Sequence, residues 1–195
     1  MVPFGIQLGA SSQPASGPAA ERPYVRPHGA SQTVIVFRCT QRLRKRLRVA
    51  LADDALPSTG VLGDWYANSL NVGHSRYVLC LSARTLLPVI LPARKSEFPD
   101  RFPDYLTEIL DLIGVPSQII EREAAEAAQP VFAKTQNRSL LGSLNDFVFS
   151  ASVYLQHGES VLEANLKLSQ MPSKVIEFAF PSEVAREALL SQNRR

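Results

Sequence analysis

Two cysteines, Cys39 and Cys80, are the only thiols in 195 residues, too few for a disulfide framework. Three histidines, His28, His74 and His157, stand apart from one another and from both cysteines. The chain has no Cys-x-x-Cys, no His-Glu-x-x-His, no glycine-rich phosphate loop and no Gly-x-Ser-x-Gly elbow. Thiol-redox, zinc-protease, nucleotide-loop and hydrolase-elbow chemistry therefore lack a local signature, and no metal or cofactor is expected. No apolar run approaches the roughly 18 residues that a membrane-crossing helix needs, so no membrane association is expected. A secretory leader is a poor fit, because no basic residue precedes Arg22 and Pro3, Gly5 and Gln7 break the opening apolar patch. A hydrophobic fraction of 45% is ordinary for a globular chain and argues against wholesale disorder. At about 150 residues per domain, one domain with a tail is expected, in a soluble cytoplasmic protein.

Charge is present but unevenly spread. Residues 1–48 hold eight basic side chains against Glu21 alone, whereas the remainder is mildly acidic and the whole chain carries +3. The basic excess therefore belongs to one short segment. Sixteen of the 21 basic residues are arginine. The fork-shaped guanidinium suits phosphate, although a GC-rich genome produces the same bias.

Residues 1–33 read as a disordered tail, since Pro3, Pro14, Pro18, Pro23 and Pro27 sit among Ser, Ala and Gly with no helical or strand period. Order begins with a β-branched run at Thr33–Arg38, a buried strand, followed by a helix from Gln41 to about Val49 capped by Thr40. The segment Leu62–Asn68 reads as a helical turn capped by Asp64. Tyr77–Leu81 and Leu86–Leu91 form a hairpin whose second strand, carrying Pro88 and flanked by Pro92, belongs at a sheet edge or has one irregular position. Leu106, Ile109, Leu110 and Ile113 follow helical spacing and stop at Gly114. Further helices are expected from Pro116 to before Pro130, from Ser139 to Gln156, and around Leu162, Leu166 and Leu168, with strands at Val131–Lys134 and Val175–Phe180. A terminal helix capped by Ser182 and a frayed end fill 181–195. Strands and helices mix without strict alternation, which predicts an α+β domain over 34–180, a small mixed or antiparallel sheet packed by several helices.

Three stretches carry a resemblance: Val34-Ile-Val-Phe-Arg-Cys-Thr-Gln-Arg-Leu43, Leu62-Gly-Asp-Trp-Tyr-Ala-Asn68 and Lys134-Thr-Gln-Asn-Arg-Ser-Leu-Leu-Gly-Ser-Leu-Asn-Asp146. Together they resemble a bacterial family of small single-domain proteins classed as a domain of unknown function, over about residues 34–180. Gln136 departs from the pattern, where members are expected to carry a second Asn. The resemblance bounds the domain and implies no reaction, ligand or cofactor. It also implies a start at the first strand. Residues 1–33 are then either an over-extension upstream of a GUG start at Val34 or a real disordered extension.

Three groups of residues are candidates for function. Arg42, Arg44, Lys45, Arg46 and Arg48 could neutralise several phosphates, or simply form the solvated face of an amphipathic helix. Thr135, Asn137, Arg138, Ser139, Ser143, Asn145 and Asp146 gather amides, hydroxyls and a guanidinium at a helix start. They fit an anion site or a weak acid–base site, or a capped helix with a polar stripe. Trp65 and Tyr66 could stack a ring while Asn68 reads its polar edge, with Asp64 nearby, or Trp65 could anchor the core. Cys39 and Cys80 read as buried, inert thiols. The leading expectation is a protein that binds an anionic partner, nucleic acid or a phosphorylated ligand. Arg42, Lys45 and Arg46 would steer the partner, and Asn137 and Arg138 would contact it. The rivals are a hydrolase- or transferase-type enzyme, with Asp64, Arg138, Asn145 and Asp146 around one pocket, and a protein-binding module without a chemical site.

Overall fold

The structure, a computed structural model, describes residues 35–52, 55–93, 98–127 and 130–192. The expected tail at 1–33 and the frayed end at 193–195 lie outside the described residues.

Five strands form one mixed sheet in the order β4-β3-β2-β1-β5. They are β1 (Ile35–Cys39), β2 (Trp65–Val72), β3 (Ser75–Ser82), β4 (Pro88–Pro92) and β5 (Pro130–Lys134). Strand β1 is parallel to both neighbours, β2 and β5, whereas β2, β3 and β4 form an antiparallel meander. Among the described residues six α-helices join the sheet: α1 (Gln41–Leu47), α2 (Phe98–Leu112), α3 (Ser117–Ala127), α4 (Arg138–Gln156), α5 (Val161–Ser169) and α6 (Pro181–Gln192). The fold is α+β, as its mixed element order implies.

Alternation along the strands sends side chains to two cores. Ile35, Phe37, Cys39, Trp65, Ala67, Cys80 and Val89 face α1, α2, α3 and α6. There the Phe37 ring meets Phe98 and Phe102 edge-on at 5.0 and 4.9 Å. Tyr66, Leu70, Leu79, Leu81 and Ile90 face Leu144, Phe147 and Ala151 of α4 and Leu168 of α5. With both faces covered, the sheet is the middle layer of three. Helix α6 belongs to the first core through Ala185 and Leu189.

The two proline-bearing ends of β4 leave it at the sheet edge, where prolines are tolerated. One side chain of α5 meets that edge. Asn165 Oδ1 accepts from Ile90 N at 2.7 Å and its Nδ2 donates to Ile90 O at 3.3 Å, so the outward amide and carbonyl of Ile90 are paired.

Three local expectations are corrected. Leu62–Asn68 is not a helical turn: Trp65 onward is strand β2, and Asp64 caps nothing because its carboxylate is paired with Arg38. Val175–Phe180 is not a strand. Its backbone closes a 3-10 turn over Lys174–Ile176, and Glu177 and Phe178 then adopt left-handed angles, φ 55° and 62°. Ser182 lies inside α6, which starts one residue earlier at Pro181, where a missing N–H costs nothing.

Candidate functional site

Strand alternation places Tyr66 and Asn68 on one face of β2, with Asp64 just ahead of the strand, beside Arg38 of β1, whose register partner is Tyr66. Each of these four side chains has a protein partner. Arg38 Nε donates to Asp64 Oδ2 at 2.5 Å, both side chains being at least nine-tenths buried. Ser58 N donates to Asp64 Oδ1 at 2.6 Å, and Arg38 Nη1 donates to Lys134 O at 3.3 Å. Asn137 N donates to the Tyr66 hydroxyl at 3.2 Å, and Thr40 Oγ1 donates to Asn68 Oδ1 at 2.8 Å. These bonds tie together the starts of α1 and α4, the carboxyl ends of β1 and β5 and the amino-terminal half of β2. They form a satisfied buried network, which rigidifies a fold.

The same accounting covers most of the second group. The Asn137 amide oxygen accepts from Ser139 N at 2.9 Å and Leu140 N at 3.2 Å, so two of the N–H groups that could have held an anion are already paired. Ser143 is buried, whereas Arg138, Asn145 and Asp146 are exposed on α4 and Thr135 is half-buried before it. Asp64 is buried beneath the sheet surface, and none of the clefts described below is lined by Asp64, Arg138 or Asp146. Trp65 is 1% exposed, and its ring meets Phe102 edge-on at 4.9 Å. That ring is a core anchor.

The basic residues of α1 are arranged differently. Thr40 starts the helix by accepting from Leu43 N, and Leu43 is the residue of α1 that is fully buried, while Arg42 and Lys45 are exposed. Arg46 is half-buried, and its Nη2 donates to Ala93 O at 3.0 Å, just past β4. The Ala93 amide in turn donates to Arg76 O at 2.7 Å. Arg76, which sequence reasoning did not single out, pairs in register with Asn71 at the tip of the β2–β3 hairpin. In the amide orientation that satisfies both neighbours, Asn71 Oδ1 accepts from Arg42 Nη2 at 3.0 Å. Arg42, Arg46 and Arg76 thus converge from two elements. Partial burial, then Arg76 and Arg42, hold the Arg46 guanidinium below its usual range. None of the ion pairs among the described residues involves any of the three. Beside them, Arg44 Nε is buried without a partner. No pattern in the sequence points to Arg76, because its role depends on hairpin register.

Elsewhere, a groove of about 610 Å³ between α2 and α3 is bordered by Asp104, Glu108, Asp111 and Glu121 against Arg101. It holds no histidine or cysteine. Among the described residues, no group of three His, Cys, Asp or Glu side chains is placed to hold a metal ion. Burial pushes the Cys39 thiol up to about 12, with Arg44 opposing, and pushes Cys80 up as well, so neither is a nucleophile. No helix among the described residues is long and apolar enough to cross a membrane.

No curated protein matches the chain. A family model described as a domain of unknown function (DUF6933) matches residues 36–184, the stretch that carries the sequence resemblance.

Proposed function

We propose, for a chain that belongs to the DUF6933 family, that it is a nucleic-acid-binding protein whose contact surface is the arginine face of α1 and the β2–β3 hairpin. The observation that supports this is the gathering of Arg42, Arg46 and Arg76 without acidic partners among the described residues. Bringing like charges together costs free energy in the folded chain, and a phosphate backbone relieves that cost through bidentate contacts. None of the clefts described is lined by these arginines. Small phosphorylated ligands sit in concave sites, so an extended polyanion is the better match. Lys45 extends the face, and the protein acts in the cytoplasm of a bacterial cell.

Fluorescence anisotropy with mixed-sequence RNA and DNA oligonucleotides tests this. Three phosphate contacts correspond to a loss of affinity of about 20- to 40-fold between 50 and 200 mM salt. The triple variant Arg42→Ala/Arg46→Ala/Arg76→Ala should lose most of both the affinity and the salt slope, while Arg138→Ala keeps them. Equal binding by the parent and the triple variant refutes the reading.

A further inference from the structure

Glu123 has no part in that surface, and its surroundings are unusual for a carboxylate. It lies on α3, 6% exposed, and its Oε1 is buried with no hydrogen-bond partner. It borders a void of about 10 Å³, together with Ser58, Gly60 and Gly63 of the loop before β2. That volume holds one water at most, so the carboxyl cannot meet a substrate there. The second carboxylate bordering the void, Glu126, is tight against the same loop, since a Cβ built on Gly60 would stand 3.0 Å from its Oε2.

Among the described residues, the charges facing Glu123 are few. On α3 they are Glu126 and Arg122, whose Nη2 stands 3.7 Å from Oε1, too far to donate a good hydrogen bond. Ile35 of β1, Trp65 of β2, Leu106 of α2 and the loop residues Ser58, Gly60, Leu62 and Gly63 bring no ionisable group. Arg84 reaches the same loop, donating to Gly60 O at 3.2 Å and Val61 O at 3.4 Å. An ionised carboxylate without a donor is disfavoured in such a place, and a neutral acid is favoured.

We propose that Glu123 is a proton-dependent latch: as a neutral acid it lets α3 close on loop 58–63, and its ionisation loosens that contact. Burial first, and then Glu126, raise the carboxyl to about 7, with Arg122 opposing, so the latch works near neutral pH. The loop leads directly into Asp64, and Ser58 N is bonded to that carboxylate, so loosening reaches the Arg38–Asp64 pair.

Carbon-detected NMR of the full chain tests the latch. The Glu123 carboxyl should titrate near neutral pH, above the exposed carboxylates, and the amide signals of Ser58, Gly60 and Gly63 should move with the same midpoint. In Glu123→Gln that midpoint should vanish from the loop signals. Should the variant fail to fold, hydrogen exchange of the parent decides: corrected for intrinsic rates, loop protection should fall about tenfold from pH 6 to pH 8, with α4 unchanged. A Glu123 that titrates with the exposed carboxylates, or loop signals and protection that ignore its midpoint, overturns the proposal.

Discussion

Asp64→Asn is the sharpest test of how this fold is held. The replacement keeps an oxygen in place for Ser58 N, which now donates to Asp64 Oδ1 at 2.6 Å, and removes only the charge that balances Arg38. Arg38 is 4% exposed, so its guanidinium would stay buried with the Lys134 carbonyl, at 3.3 Å, as its remaining partner. Leaving one member of a buried pair uncompensated costs about 3–5 kcal/mol. In urea, with a slope of about 2 kcal/mol/M for a domain of this size, the midpoint should fall by about 2 M. Arg38→Met should cost about 3 kcal/mol for the mirror-image reason, an unbalanced buried carboxylate. The double variant Arg38→Met/Asp64→Asn removes both charges and should sit within about 2 kcal/mol of the parent. The losses are therefore strongly non-additive, with a coupling of about 3 kcal/mol or more. The reasoning fails if Asp64→Asn costs under about 1 kcal/mol, as an exposed pair would, or if the two single losses simply add.

Other outcomes follow from particular contacts. Because Glu123 is raised from 4.5 to about 7, it contributes stability that is fully present below about pH 4.5 and is lost as pH rises to about 7. Glu123→Gln should flatten that slope and be the more stable form at pH 8, by up to about 3 kcal/mol in urea titrations; parallel pH profiles would contradict this. Asn165→Leu strands the Ile90 amide and carbonyl at a buried sheet edge, at a cost of about 2–4 kcal/mol. Calorimetry should show Tm lower by about 5–15 °C, and an unchanged Tm would mean that Ile90 does not depend on Asn165.

Much of the architecture was legible because it is local. Leu106, Ile109, Leu110 and Ile113 repeat at helical spacing, and Gly114, at φ 77°, ends the helix as a residue without a Cβ can. Thr40 caps α1 as its side-chain oxygen predicts, whereas the sequence offered both Asn137 and Ser139 for α4, and Asn137 is the cap. Pro88 and Pro92 limit β4 to an edge or to one irregular position before any partner strand is known, and it lies at the edge. Strand β2 was misread because both its faces are covered, which removes the polar–apolar alternation that marks a half-exposed strand. Val175–Phe180 misled in the opposite way: its residues favour strands, but a strand needs a neighbour, and the outward amide of Ile90 on β4 is already paired with Asn165.

By itself the sequence determined what depends on neighbours a few residues away: most of the helices, the Thr40 cap, the β3–β4 hairpin and the placement of basic charge before residue 49. Tertiary structure alone decided which charges meet and in what medium. Arg38 reaches Asp64 across 26 residues, Arg46 comes within the field of Arg76, and Glu123 is closed against a loop that precedes it by some 60 positions. The physical reason is that a charge acts through distance and dielectric, and strand order sets both.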